Sequence, residues 1–392
     1  MKKVRLGDIY SISSGGTPSR KNLEYYSGGT INWVKTGDIK KKYIEETEEK
    51  ITDKGLYNSS TKMYNSGTVL IAMYGATIGE TSILNIKACT NQACAAFVKN
   101  NKVIPEYLYY FFKSNKEKFV NAGIGGAQPN ISIGYLKNVL FNLYEISEQE
   151  KIVNKLNKLE EIIDLRKKQI EVFDEFIKSQ FIQMFGNPFD NSKWKIKKLG
   201  EVAESIYDGT NIPPKYYQKE EKVLFLRIQN VWRNEFRLED SVYVSEEINK
   251  KYIDTSLKKG DLLITKIGRY YTKESSLGRV AIYLGENNKA NYSNNIMRIR
   301  VKNEIDSEFL NILLNLEDYQ LYIRRESNGG TDKRALSKKV IEKFPIIIPP
   351  LEMQNQFIKF VKQINNQKLI IEKSLKDTEE LQDSLMNKYF GE

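Results

Sequence analysis

Residues 148–186 read EQEKIVNKLNKLEEIIDLRKKQIEVFDEFIKSQFIQMFG, and residues 353–391 read MQNQFIKFVKQINNQKLIIEKSLKDTEELQDSLMNKYFG. The two stretches align without a gap at an offset of 205, with Gln149 on Gln354, Ser179 on Ser384 and Phe185-Gly186 on Phe390-Gly391. In the first copy Ile152, Leu156, Leu159, Ile163, Ile170, Phe173, Ile177 and Met184 fall on alternating four-three spacing. Phe357, Val361, Ile364, Ile371, Leu375, Leu385 and Tyr389 follow the same frame in the second. That spacing lays a narrow apolar seam along a helix. Neither stretch holds Pro or Gly before its final Gly, which stands where a C′ cap belongs. At 1.5 Å per residue each helix is roughly 58 Å long. The seams must be buried, either on each other, which the internal symmetry favours, or on separate partners. Arg166 and Lys368 interrupt them and read as snorkelled or solvated stems.

The repeat extends outward from the helices. Val4-Arg-Leu-Gly-Asp returns as Lys198-Leu-Gly-Glu, Ser66-Gly-Thr-Val-Leu-Ile as Lys259-Gly-Asp-Leu-Leu-Ile, Thr90-Asn-Gln as Ser293-Asn-Asn, and Gly125-Gly-Ala-Gln-Pro-Asn as Gly329-Gly-Thr-Asp-Lys-Arg. Each match is weak alone, and their shared order is what identifies a duplication. The chain therefore reads as globular unit, long helix, globular unit, long helix. Gly67–Met73 and Asp261–Thr265 are apolar runs of strand length. Pro105-Glu-Tyr-Leu-Tyr-Tyr-Phe-Phe reads as a helix with Pro at its first position and an aromatic face turned to a core.

Composition narrows the chemistry. The 392 residues carry 61 Lys+Arg against 50 Asp+Glu, a net charge of +11, which favours a polyanionic partner, nucleic acid first. There is no His, so Ser-His-Asp and Cys-His catalysis and His-ligated zinc are excluded. Cys89 and Cys94 are too few for a disulfide framework or a four-ligand zinc site and read as buried thiols. No phosphate loop of the Gly-x-x-x-x-Gly-Lys-Ser/Thr type occurs. Gly186-Asn-Pro-Phe-Asp190 lacks the second Pro of a base-holding methylation loop and reads as a helix stop. No apolar run reaches the ~18–20 residues needed to cross a bilayer, and no hydrophobic leader follows Met1, so a cytoplasmic chain without membrane attachment is expected.

What remains is a set of polar loops at matching places. Ser14, Gly15, Gly16, Thr17, Ser19 and Arg20 form one, with Gly and Ser admitting a phosphate backbone and Arg20 adding charge. Gly126, Gln128 and Asn130 lie on another, whose amides suit an adenine edge; the counterpart offers Thr331, Lys333 and Arg334, where Arg or Lys suits guanine. Lys35 and Thr36 pair with Arg227, Gln229 and Asn230 at strand ends. Tyr74, Asn91 and Gln92 in the first unit and Lys266, Arg269, Asn294 and Asn295 in the second complete the expected DNA-facing set. Of 13 Arg, only Arg5 and Arg20 lie in the first unit and ten fall between Arg227 and Arg334, so the two units are expected to read different sequences.

With these residues on view the chain resembles the specificity subunits of type I restriction–modification systems over essentially its whole length. Ser14-Gly-Gly-Thr-Pro-Ser, Ile31-Asn-Trp-Val-Lys-Thr-Gly-Asp38, Ile71-Ala-Met-Tyr-Gly-Ala-Thr-Ile-Gly79, Thr90-Asn-Gln-Ala and Gly125-Gly-Ala-Gln-Pro-Asn-Ile-Ser132 carry the likeness in the first unit. Pro349-Pro-Leu-Glu-Met-Gln354 carries it in the second; Tyr144-Glu-Ile-Ser-Glu-Gln149 departs by lacking the Pro pair. The resemblance implies an α+β chain: two mixed α/β target recognition domains in tandem repeat, 1–147 and 187–351, separated by two long conserved helices, 148–186 and 352–392, forming an antiparallel coiled coil. It implies that each domain binds half of a bipartite site in double-stranded DNA. The helices then act as spacer and scaffold for two methyltransferase subunits, joined in the full complex by restriction subunits. S-adenosylmethionine is then expected in the methyltransferase subunits, and ATP and Mg in the restriction subunits, with no cofactor, metal or catalytic residue in this chain. Half-sites on one DNA face lie ~34–36 Å apart per helical turn, a span that a rigid helical pair can bridge. The alternatives are a fused restriction–methylation enzyme, whose cofactor motifs are missing, and a DNA-binding regulator or coiled-coil adaptor without methyltransferase partners.

Overall fold

The computed structural model describes residues 2–123, 130–190, 193–220, 222–272 and 275–391. The chain divides into two compact units, Met1–Gln169 with Ile371–Glu392, and Ile170–Ile370.

In the first unit Val69–Ala72 is buried throughout, as a run of four apolar residues demands. Its alternate residues serve two cores. Val69 and Ile71 face Tyr107, Tyr110 and Phe112 of the helix Pro105–Ser114, while Leu70 and Ala72 face a cluster with Val34, Ile44 and Cys94. The strand sits in a five-stranded sheet in the order Ile12–Ser14, Cys94–Phe97, Val69–Ala72, Thr81–Leu84, Tyr43–Ile44, antiparallel except for the last pair. A second sheet pairs Ile31–Val34 in parallel with Ala88–Thr90. The strands Lys2–Arg5 and Leu140–Leu143 form a separate antiparallel clasp.

The second unit repeats this plan. Ala203–Asp208, Ile296–Val301, Leu262–Thr265 and Val280–Ile282 follow one another in an antiparallel sheet. Val223–Leu226 pairs in parallel with Ala290–Tyr292, and Ile196–Lys198 clasps Pro345–Ile347. Leu262 and Ile264 point to the core shared with Phe309 and Leu313, and Leu263 points to the opposite cluster. The thiols are buried; burial pushes that of Cys89 up to about 11, and that of Cys94 is raised as well.

The long helices are Ile146–Phe185 and Leu351–Phe390, each beginning one or two residues before the expected start. Gly186 takes a φ of 77° at the first stop, a left-handed conformation that glycine adopts without strain. Both units contain part of each helix. In the first, Ile152 and Leu156 share a core with Met386, Tyr389 and Phe390, and Lys167 pairs with Glu379 at 2.9 Å. In the second, Phe181 and Phe185 pack on Phe357, and Phe176 meets Phe360 at 5.2 Å. Partner numbers fall as helix numbers rise, so the pairing is antiparallel within each unit. Among the other seam positions Ile163, Val361 and Ile364 are buried, and Leu159, Ile170, Phe173, Ile371 and Leu375 are half-buried.

Of the two interruptions of the seam, Arg166 is not a solvated stem, whereas Lys368 carries its head to an exposed ion pair. Arg166 donates to the Ser374 carbonyl at 2.6 Å and to the Thr378 hydroxyl, and Lys368 reaches Asp174 at 2.8 Å. Each polar head bonds the facing helix, and the part-buried Arg166 bonds mark the register there, a role buried polar groups play in coiled coils.

Gln149 and Gln354, 205 positions apart, are fully buried and bond alike. The Gln149 oxygen accepts from the Ile104 N–H at 2.9 Å, and its amide donates to the Lys102 and Tyr144 carbonyls at 2.9 and 2.8 Å. Gln354 accepts from Asp306 N–H at 2.8 Å and donates to Glu304 and Pro349 at 3.3 and 2.8 Å. The Pro pair missing from the first copy is therefore dispensable, because the Gln fastens the helix start in both. Replacing Gln149 by Leu leaves one N–H and two carbonyls without that partner. The variant should lose about 3 kcal/mol, read as a lower denaturant midpoint of the first unit, whereas Lys151→Leu on the exposed face should change it little.

Candidate nucleic-acid interface

The polar loops of each unit are stitched edge to edge by backbone hydrogen bonds. In the first unit the Ile131 N–H bonds Met73 O at 3.0 Å, Met73 N–H bonds Ala93 O at 2.8 Å, Gly16 N–H bonds Thr90 O at 3.0 Å, and Asn91 N–H bonds Val34 O at 2.9 Å. The loops that carry Asn130, Tyr74, Gln92, Thr17 and Lys35 thus form one strip, and Tyr74 forms a β-bridge with Asn130. Trp33 Nε1 donates to Gly16 O at 3.1 Å and Thr17 Oγ1 donates to Gln92 Oε1, tightening its middle.

The second unit repeats these stitches. Leu336 N–H bonds Lys266 O at 2.8 Å, Lys266 N–H bonds Asn295 O at 2.9 Å, Thr210 N–H bonds Tyr292 O at 3.0 Å, and Ser293 N–H bonds Leu226 O at 2.9 Å. Leu336 matches Ile131, Lys266 matches Met73, and Ser293 matches Asn91, one position along from the sequence match of Thr90 with Ser293. The bridge at Tyr74 becomes a short ribbon in which Ile267–Arg269 pairs with Lys333–Ala335. The turns after Val34 and Leu226 are capped alike, Asp38 Oδ2 accepting from Lys35 N–H at 2.8 Å and Asn230 Oδ1 from Arg227 N–H at 3.0 Å.

Exposed on these strips are Thr17, Ser19, Arg20, Tyr74, Gln92 and Asn130 in the first unit, and Gln229, Arg269, Asn294, Thr331 and Lys333 in the second. Ser14, Lys35, Thr36, Asn91, Arg227, Lys266, Asn295 and Arg334 are half-buried. Gly126 and Gln128 lie outside the described residues. Asn230 is 1% exposed and spends its amide on the turn, donating to Arg237 O at 2.9 Å, so it supports the strip from beneath instead of facing a ligand. The space beside the two glycines is filled by the protein itself. A Cβ on Gly15 would lie 1.8 Å from the Thr90 carbonyl oxygen, and one on Gly16 would lie 2.2 Å from Ser60 Oγ. Gly209 meets the Ser293 carbonyl in the same way, at 2.2 Å, so the close approach is between strands of the strip.

Electrostatics separates the two strips. Glu49 binds both Arg20 and Lys35 at 2.6 Å, and those two bonds hold its carboxyl below the usual carboxylate range. Arg20 also lies over the rings of Tyr26 and Trp33, at 4.5 and 5.1 Å. Among the described residues neither Lys333 nor Arg334 has a carboxylate partner; Arg334 stacks on Tyr270 at 4.0 Å. Arg269 stands 3.6 Å from Asp332, and Lys266 is paired with Asp208. With the Gln229 amide turned to suit its neighbours, its oxygen accepts from both terminal nitrogens of Arg227 at 3.3 and 3.2 Å, an arrangement that presents amide and guanidinium together. The pairing of Glu48 and Glu49 with the first-unit cations was not legible in the sequence, because acids are numerous and their fold neighbours are not adjacent in the chain.

No group of three or more His, Cys, Asp or Glu among the described residues is placed to hold a metal, and no helix among them is long and apolar enough to cross a membrane. The fold is a tandem pair of like units, each presenting a strip of polar loops. The profile of the type I restriction modification DNA specificity domain matches residues 1–173 and 191–381. The chain belongs to that family: it is a DNA specificity subunit with two recognition units. It is 28% identical to the MjaIX specificity subunit of Methanocaldococcus jannaschii, over 100% of this chain and 93% of that one. It is 25% identical to the MjaVIII subunit of the same organism, over 98% and 90%. The fold is shared with the S subunit of a type I system from M. genitalium, at a TM-score of 0.57, 16% identity and 100% and 96% coverage. A chain from a structure describing complex assembly of a type I restriction–modification system shares it too, at a TM-score of 0.63, 17% identity and 99% and 97% coverage.

Proposed function

We propose that each strip reads one half of a bipartite site in double-stranded DNA, and that the antiparallel helices fix the gap between halves. On this reading the helical pair also seats two methyltransferase subunits, which hold S-adenosylmethionine, with two restriction subunits supplying ATP- and Mg-dependent cleavage in the full complex. The chain works where DNA lies, in the cytoplasm, and contributes recognition without catalysis. The observation that carries this reading is the duplicated stitching: Ile131 to Met73 and Leu336 to Lys266, Asn91 to Val34 and Ser293 to Leu226, bring the same loops to one surface in both units. Different side chains on one scaffold are what two unlike half-sites require. The reading as a regulator or adaptor without methyltransferase partners has no feature of its own in its favour.

Half-site readout tests this. Lys333→Ala with Arg334→Ala should relax one half of the methylated motif, and Asn130→Ala the other, each lost base contact costing about 1–3 kcal/mol of discrimination. The measurement is the set of methylated adenines in cells carrying each variant with its methyltransferase partner. Equal weakening at cognate and random sites would assign these residues to backbone positioning alone.

A further inference from the structure

Tyr271 is 76% exposed, at the tip of the second unit's ribbon. A single exposed aromatic is ordinary on a protein surface, but this one is braced. Its ring meets that of Tyr270 edge-on at 4.9 Å, and the Arg334 guanidinium covers Tyr270 at 4.0 Å. The Tyr270 N–H donates to Asp332 O at 2.8 Å, tying the tip to the neighbouring strand. The ribbon is continuous with the strip through the Leu336–Lys266 bond and bears Arg269 and Lys333, both exposed. A ring with only two side-chain torsions, already propped and flanked by cations, has little freedom to lose when it is covered.

We infer that Tyr271 is a stacking wedge: it packs its ring against an unstacked base step in the half-site that the second unit reads. This rests on the proposal that the second strip faces DNA. The cations hold the phosphates on either side, and the ring, 76% exposed, is open to be covered. Stacking of this kind is indifferent to base identity, but opening the step is easier at flexible pyrimidine–purine steps, so the wedge reads deformability. The second unit would thus combine edge readout by Lys333 and Arg334 with shape readout by Tyr271, and the first unit, which has a bridge in place of the ribbon, would lack this component.

The test uses the full chain bound to its methyltransferase partner and a duplex carrying the motif that this complex methylates in cells. 2-Aminopurine is placed at successive positions of each half. Binding should raise its fluorescence at one step of the half that Lys333→Ala and Arg334→Ala relax. Tyr271→Ala should abolish that rise and weaken cognate binding roughly tenfold to a hundredfold, the range for one stacked base. Tyr271→Phe should keep both, because stacking needs the ring and not the hydroxyl. Equal losses in Tyr271→Phe and Tyr271→Ala would overturn the wedge in favour of a hydrogen-bonding hydroxyl. Unchanged binding and fluorescence in Tyr271→Ala, while Lys333→Ala still relaxes its half, would overturn the wedge alone. If Lys333→Ala, Arg334→Ala and Tyr271→Ala all leave the motif and affinity intact, the second strip is not on DNA and the underlying reading falls with the wedge. The exposure of Tyr271 makes a folding defect in Tyr271→Ala readily excluded by an unchanged melting temperature.

Discussion

Raising the salt from about 50 to 200 mM should weaken DNA binding by the methyltransferase-bound chain about a thousandfold or more, the loss expected for six or more phosphate contacts. The chain carries a net charge of +11, and both strips combine cations with uncharged polar loops that suit a phosphate backbone. The two units should not contribute equally. Arg20 and Lys35 are held by Glu49 at 2.6 Å, so their approach to a phosphate must compete with a carboxylate already in place. Lys333 and Arg334 have no such competitor among the described residues. Replacing either by Ala should make the slope of log affinity against log salt shallower by about one, and Arg20→Ala should change it less. Slopes from a salt titration of each variant check this, and a flat affinity across that range would remove phosphate clamping from the account.

Phe390→Ala should destabilise the first unit by about 3–5 kcal/mol, the usual cost of emptying a buried phenylalanine site. Phe390 is 3% exposed although it stands next to the end of the chain, and it packs on Tyr107 at 5.0 Å. The Asn115 amide also donates to the Phe390 carbonyl, and that of Asn142 to the Tyr389 carbonyl, both at 3.2 Å. Phe185, its counterpart 205 positions earlier, sits among Phe309 and Phe357 in the second unit and should behave alike. Thermal unfolding of the two variants, followed by hydrogen exchange in each unit, locates the effect. The reading requires Phe390→Ala to loosen the first unit and Phe185→Ala the second.

That exchange of ends shows where sequence reading stopped. The repeat, the long helices with their seams, the buried strands Val69–Ala72 and Leu262–Thr265 and the aromatic helix Pro105–Ser114 were legible, because apolar period and order are local properties. The heptad pattern by itself says only that a face is buried; the internal symmetry favoured the pairing of the two seams, and the resemblance implied that it is antiparallel. The polar interruption Arg166 looked like a solvated stem because its acceptors, Ser374 and Thr378, are far away in the chain. The loops of the strips were legible as loops because Gly, Asn and Ser announce them. Their internal roles were hidden. Asn230 reads like a base contact and is buried as a turn cap, and the glycines Gly15 and Gly16 make room for Thr90 and Ser60. The exposure of Tyr271 has no signature in a chain with 24 tyrosines.

The central claim is that two reading units are held in register by the helical pair. It is tested most directly by mapping methylated adenines in cells that carry the chain with four residues inserted after Lys168. Four residues add roughly 6 Å of helix, close to two base-pair steps of ~3.4 Å, and nearly preserve helical phase, so the seam should survive with a local stutter. The account predicts a bipartite motif with both halves unchanged and the gap between them lengthened by one or two base pairs. An active variant that still modifies sites with the original gap would contradict it.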